Sequence, residues 1–210
     1  MAYREWMNMP ASSKIPIILL AAGASRRMRG GDKLLEEVDG LPLLRRQTMR
    51  AINATKGPVI VTLPPEGHAR KEALTGLKVT TVPVPDAAHG MSVSLRRGLA
   101  QVPVDAGAVM VLLPDLPDLT TKDLVAVLDA ADRTKDALIW RGTTSDGAAG
   151  HPIVFARALF AELASISGDT GGASVVARHS DKTSFIRLPG NRARLDLDTP
   201  EDWAKWRASQ

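Results

Sequence analysis

The run Ile15-Pro-Ile-Ile-Leu-Leu20 constrains this chain more than any other segment. Unbroken apolarity over that length reads as a strand buried on both faces, as in a parallel sheet. The pattern recurs. Val59–Leu63, Val79–Val84, Ala108–Leu113 and Ala137–Trp140 read as strands, and Ile153–Phe155, Ser184–Leu188 and Arg194–Leu197 as shorter ones. Between them lie helical segments: Leu41–Ala54 with Pro42 near its first turn, Glu66–Leu74, Met91–Ala100, Thr120–Ala131, Phe160–Ser165 and Ala173–Arg178. Thr120 with Asp123 makes a capping pair, and Thr199-Pro200-Glu201-Asp202 opens a last helix. Gly142–Gly150 reads as a polar loop. Strands alternating with helices predict an α/β fold, a doubly wound and mostly parallel sheet in a single domain. Residues 1–13 form an N-terminal extension and 14–210 the domain. Right-handed crossovers place the loops after the strands along one edge, where ligands bind.

Composition narrows the function classes. The 210 residues contain no Cys, which excludes disulfides, thiolate metal sites and a Cys nucleophile. No apolar run reaches the ~20 residues of a membrane span, so no membrane contact is expected. Met1–Ser13 lacks the apolar stretch of a secretory signal, which makes the cytoplasm the expected location. The net charge of +4 favours a small anionic ligand mildly. Aromatic residues are 4% of the chain and do not alternate with basic ones, so nucleic acid is not an expected partner.

The basic residues concentrate in Leu20-Ala-Ala-Gly-Ala-Ser-Arg-Arg-Met-Arg-Gly-Gly-Asp-Lys33, directly after the first strand. Small residues let backbone N–H groups approach a ligand closely, and consecutive N–H groups form an anion nest. Arg27 and Lys33 would neutralise phosphate oxygens. The segment is neither a Walker A loop nor a GxGxxG fingerprint, and a solvated basic turn is the plainer reading of it. Asp115, in Leu112-Leu-Pro-Asp-Leu-Pro-Asp118, leaves a strand on the ligand edge. It is either a Mg²⁺ ligand or a turn residue between prolines. Asp196 and Asp198 alternate at the end of the Arg194–Leu197 segment. Asp115 and Asp196 would clamp one metal, while Asp198 or Thr199 caps the last helix. The choice between Asp196 and Asp198 as second ligand stays open. His151 and His89 show no metal-ligand spacing, and no Ser or Cys partner suggests a hydrolase triad. The four Trp residues read as packing residues.

Together these segments resemble a known family. Ala21-Ala-Gly-x-Ser-x-Arg-Met28, then Gly30 and Lys33, resembles the nucleotide loop of the MobA-like NTP transferases. Within that group, Gly90-Met-Ser-Val-Ser-Leu-Arg-Arg-Gly98, Leu113-Pro-Asp-Leu-Pro117, Gly150-His-Pro152, Gly168-Asp-Thr-Gly171 and Asp196-Leu-Asp-Thr-Pro-Glu-Asp202 are similar to molybdenum cofactor cytidylyltransferases. The matches run in family order from Ile15 to about Trp206. One departure is Arg29, inserted between Arg27-Met28 and Gly30.

The resemblance implies a Rossmann-like domain of the nucleotide-diphospho-sugar transferase type. It implies that Leu20, Ala21, Ala22, Gly23, Ser25, Arg27, Lys33 and Pro114 bind nucleotide. Lys33, Arg27 and Asp115 would carry catalysis, with Asp115 and Asp196 on Mg²⁺. Gly90, Met91, Ser92, Ser94, Gly150, His151, Pro152, Gly168, Asp169 and Gly171 would wall the acceptor. The implied activity is transfer of CMP from CTP to the phosphate of a molybdopterin-type cofactor with release of pyrophosphate, and the implied protein partner a molybdoenzyme met transiently. Three other readings compete. They are a transferase using GTP or another phosphorylated acceptor, an NAD(P)H-dependent dye reductase, and a cofactor-delivery chaperone for a molybdoenzyme. The absence of GxGxxG argues against the reductase. The presence of Asp115, Asp196 and Lys33 together argues against a purely binding role.

Overall fold

A computed structural model describes residues 12–65, 68–134, 136–168 and 171–210. Its centre is a sheet of β1 (Ile17–Leu20), β4 (Val59–Leu63), β5 (Thr80–Pro83), β6 (Ala108–Leu112), β7 (Ile139–Thr143), β8 (Ala149–Ala156) and β9 (Thr183–Arg187). The spatial order is β5-β4-β1-β6-β8-β7-β9. β1 is paired in parallel on both sides, Ile17 with Val59 and with Met110, which is why its side chains are apolar without alternation. β8 alone runs against its neighbours β6 and β7. A small hairpin, β2 (Glu37–Val38) with β3 (Leu41–Pro42), precedes α1 (Leu43–Ala54).

The helices cover both faces, as doubly winding requires. α1 and α4 (Thr121–Arg133) share one core with Ile17, Leu19, Val61, Met110 and the tryptophans of α7 (Pro200–Arg207). α3 (Met91–Leu99) and α5 (Phe160–Ser165) build the other with Ile18, Ile60 and Phe155. Two shorter helices, α2 (Ala69–Ala73) and α6 (Ala173–Arg178), complete the set. The expected capping box is present on α4: Thr120 Oγ1 accepts from the Asp123 N–H while Asp123 Oδ2 accepts from the Thr120 N–H. Thr199 and Asp202 repeat it on α7. Trp203 is 1% exposed and meets Trp206 edge-on, while Trp206 donates to Asp118 at 3.0 Å, so these two tryptophans anchor α7. No described helix is long and apolar enough to cross a membrane.

Three local expectations change. Leu41 and Pro42 leave the first helix to form β3. The Gly142–Gly150 loop shrinks, because β7 continues to Thr143 and β8 begins at Ala149 in antiparallel register. The Arg194–Leu197 segment is not a strand. It runs beside the start of β8 and is held there by the His151 N–H donating to the Ala193 carbonyl at 2.8 Å. That approach depends on Gly150, where a Cβ would overlap the Ala193 carbonyl oxygen. Gly150→Ala is expected to destabilise the protein by about 1–3 kcal/mol, as overpacking against backbone does. A thermal melt at wild-type Tm would show that the segment carrying Asp196 moves without cost.

Candidate functional site

The strand ends β1, β4 and β6 open into a cavity of about 750 Å³. Its floor is the loop after β1. Ala22, Gly23 and Ser25 line it, with Arg27 and Lys33 further along, and Pro114, Asp115 and Asp198 close the opposite side. Ser25 and Arg29 take left-handed backbone conformations, φ 48° and 51°. Only a sharply turned loop demands this of non-glycine residues.

Lys33 is the hub. Its Nζ lies 2.6 Å from Asp115 Oδ2 and 2.6 Å from Asp198 Oδ1, in a setting where all three side chains are less than a fifth exposed. Burial opposes the ammonium charge, but the two carboxylates outweigh it and hold the Lys33 pKa above its ordinary value. Arg27, largely exposed, bonds the other Asp198 oxygen at 2.6 Å. Burial alone would raise Asp198. Lys33 and Arg27 reverse that and hold it below the usual carboxylate range. Asp196 differs. Burial, then the neighbouring Asp198 and Asp115 charges, push its pKa up. Thr199 takes the capping of α7, which leaves the Asp198 carboxylate to the site.

Side chains of α1 fix the loop that carries Asp115. Gln47 donates to the Leu116 carbonyl, Arg46 and Arg50 to the Pro117 carbonyl at 2.8 and 2.7 Å, and Arg50 also to that of Leu119. Burial and the adjacent Arg46 push the Arg50 pKa down to about 9. A second cavity of about 530 Å³ opens beside these arginines, away from Lys33. Arg46, Arg192 and Arg207 there already pair with Asp39, Asp123 and Glu36.

The sequence-derived residues divide as follows. Leu20, Ala22, Gly23, Ser25, Arg27, Lys33, Pro114, Asp115, Gly90, Met91 and Ser94 all line the larger cavity. Ala21 does not: it is fully buried and turns its carbonyl toward Arg70. Ser92 is fully buried, and Gly150, His151, Pro152, Gly168 and Gly171 lie outside the lining. Gly171 packs against Met91 instead. Asp169 lies outside the described residues. Of the two candidate second carboxylates, Asp198 lines the cavity and Asp196 does not. The expected strand end placed the two side by side, and the irregular 194–198 backbone separates their roles. His151 is neutral. Burial pushes its pKa down to about 4, helped by Arg141.

The charge arrangement suits a cation and a polyanion together. The Asp115 Oδ1 atom is buried without a hydrogen-bond partner among the described residues. Two cationic side chains hold the remaining carboxylate oxygens. Among the described residues no set of three or more His, Asp or Glu is arranged to hold a metal alone. A divalent ion would therefore take one or two carboxylates plus ligand oxygens and water, the usual mode for Mg²⁺.

The fold and this cavity define an α/β domain with a charged cleft where the parallel strands β1, β4 and β6 end. The chain belongs to the MobA-like NTP transferase domain family, whose model matches residues 17–183. It is therefore a nucleotidyltransferase by family. Among solved structures it is similar to Rv0371c of Mycobacterium tuberculosis, at 29% identity over 94% of this chain and 100% of that one, TM-score 0.76. The same protein in complex with manganese matches at 28% identity over 94% and 100%, TM-score 0.78. A CMP:2-keto-3-deoxy-manno-octonic acid synthetase complexed with CTP shares the fold at 14% identity over 94% and 98%, TM-score 0.73. Comparison with curated proteins gives no significant match.

Lys33 supplies the counter-charge to two half-buried carboxylates, and its removal has a signed pH consequence. A carboxylate whose folded pKa is depressed stabilises the fold above its unfolded value, and loses that contribution as pH falls through the folded one. Lys33→Met is expected to lower Tm near neutral pH. The gap to wild type should narrow as pH falls and Asp198, which Lys33 holds below the usual carboxylate range, protonates. Melts of metal-free protein from neutral to acid pH check it. A gap that does not change with pH would assign Lys33 to packing alone.

Proposed function

We propose that this protein transfers CMP from CTP to the terminal phosphate of a molybdopterin-type cofactor, releasing pyrophosphate, with Mg²⁺ as the metal. The observation that carries the reading is the meeting of the small-residue loop 21–25, Lys33 and the Asp115–Asp198 pair around one cavity. The similarity of the loop and of the 90–98 segment to cytidylyltransferases supports CTP and the acceptor. The manganese complex of the 28% identical Rv0371c structure supports use of a divalent ion.

Each group then has a task. Backbone N–H groups of the loop face the triphosphate, a preorganised set of donors that needs no rearrangement during reaction. Asp115 and Asp198 would hold the metal, and Lys33 and Arg27, which now pair with them, would turn to phosphate oxygens. When bound, Mg²⁺ supplies Lewis-acid neutralisation of the triphosphate oxygens. An oxygen of the acceptor phosphate forms the new bond to the α-phosphorus in line, and the bond to pyrophosphate breaks with its electron pair on the departing oxygen. No covalent enzyme intermediate is needed. Positioning and charge neutralisation carry the rate.

The test is turnover: purified protein, Mg²⁺, each of the four ribonucleoside triphosphates in turn, with and without molybdopterin, following pyrophosphate. Release is expected with CTP and molybdopterin together. Release that needs a different phosphorylated acceptor would overturn the acceptor assignment and keep the transferase. Asp115→Asn should cut that turnover at least about a hundredfold while Tm moves little, because its neighbours keep their backbone anchors.

Base choice follows from Ala22. Ala22 lines the cavity and packs with Val84 and Val93, and a side chain there leaves less room for a larger purine than glycine would. Overpacking of this kind costs about 1–3 kcal/mol, or roughly tenfold to a hundredfold in discrimination. CTP should outcompete GTP at equal concentration, and Ala22→Gly should weaken the preference without reversing it. Equal incorporation by the wild-type protein would remove the cytidylyl assignment.

A further inference from the structure

α2 is a short helix on the back of the nucleotide loop, yet it carries Arg70, only 1% exposed and the least exposed charged residue among the described ones. All five guanidinium N–H groups have acceptors. Nε and one Nη2 hydrogen donate to the two Asp32 oxygens at 2.7 and 2.6 Å, a bidentate pair. The other Nη2 hydrogen donates to Ser25 Oγ at 2.9 Å. Nη1 donates to the Ala21 carbonyl at 2.6 Å and the Gly23 carbonyl at 2.7 Å. Asp32 in turn accepts from the Leu34 N–H at 3.0 Å and from the Ser25 hydroxyl at 3.1 Å. Together Arg70 and Asp32 hold three alternate residues of the loop and its far end, and neither Arg70 nor Asp32 lines the cavity.

A buried charge pair costs desolvation, and an apolar side chain would pack α2 against the loop as well. What an apolar side chain would not do is fix two carbonyls and a left-handed Ser25 in one geometry. The consequence falls on the other side of the loop. With the Ala21 and Gly23 carbonyls drawn back onto Arg70, carbonyl oxygens are withdrawn from where phosphate would sit. With the Asp32 carboxylate turned onto Arg70, the next residue sends the Lys33 ammonium the opposite way, onto Asp115 and Asp198. We infer that Arg70, paired with Asp32, is a positioning residue that sets the backbone of loop 21–25 and the direction of Lys33 for triphosphate binding. This rests on the nucleotide reading of the cavity. Arg70 touches no substrate.

Lys at this position keeps the charge and loses the planar fork. The experiment compares wild type, Arg70→Lys, Asp32→Asn and Val127→Ala, the last a core change in α4 remote from the loop. Binding of CTP with Mg²⁺ is measured by calorimetry without acceptor, well below each Tm, and KM and kcat for CTP are measured with molybdopterin. Arg70→Lys is expected to fold and to bind CTP about tenfold or more weakly, as loss of charge-assisted bonds implies. Its KM for CTP should rise more than its kcat falls. Asp32→Asn should move the same way, less far, and serves alone if Arg70→Lys does not fold. Val127→Ala should lower Tm and leave CTP affinity unchanged. Wild-type CTP affinity in folded Arg70→Lys and Asp32→Asn, or an equal loss in Val127→Ala, would overturn the inference while the nucleotide reading stands. A wild-type protein that binds none of the four triphosphates would end that reading, and this inference with it.

Discussion

The Lys33 ammonium joins parts of the chain that lie 82 and 165 residues apart, and the remaining architecture serves that junction. Its two 2.6 Å contacts require the loop after β1, the loop after β6 and the segment before α7 to arrive at one point. The parallel pairing of β1 with β4 and β6 brings the first two to the same sheet edge. The two tryptophans of α7, one of them bonded to Asp118, bring the third. A charge in this half-buried setting is tolerable only because it is paired, and the pairing is what makes the resting site neutral enough to fold without ligand.

Two sets of buried donors keep the loops in place from behind. Arg70 holds the Ala21 and Gly23 carbonyls, and α1 holds those of Leu116, Pro117 and Leu119 through Gln47, Arg46 and Arg50. In both cases loop carbonyls that would otherwise be left without partners are satisfied by side chains on the core side. The same principle serves two loops with unrelated sequences.

Much of this was legible in the sequence. The unalternating run Ile15–Leu20 specified a doubly buried strand, and the small-residue loop after it lines the larger cavity. The capping pair Thr120 and Asp123 marked a helix start to the residue. What was not legible has physical reasons. β8 runs antiparallel, and a short apolar run has the same composition in either direction. Arg70 sits in a five-residue helix whose pattern is polar, and a lone arginine carries no sign that it is buried. Only its fork geometry against Asp32, 38 positions away, reveals it. Asp196 and Asp198 were placed on one face by assuming a strand where the backbone is irregular, and the alternation rule failed with the strand. The close approach of Gly150 to Ala193 was not legible, because a lone glycine carries no sign of what packs against it.

The proposed chemistry requires the triphosphate and its metal to occupy the Lys33 cavity and not the arginine-lined cavity beside α1. A crystal structure with CTP and Mn²⁺, read by the anomalous signal of the metal, tests it directly. The manganese peak is expected on Asp115 with Asp198, and the triphosphate against residues 22–25 with Lys33 on its oxygens. Nucleotide or metal bound beside Arg46 and Arg50, with Lys33 still held between Asp115 and Asp198, would contradict it.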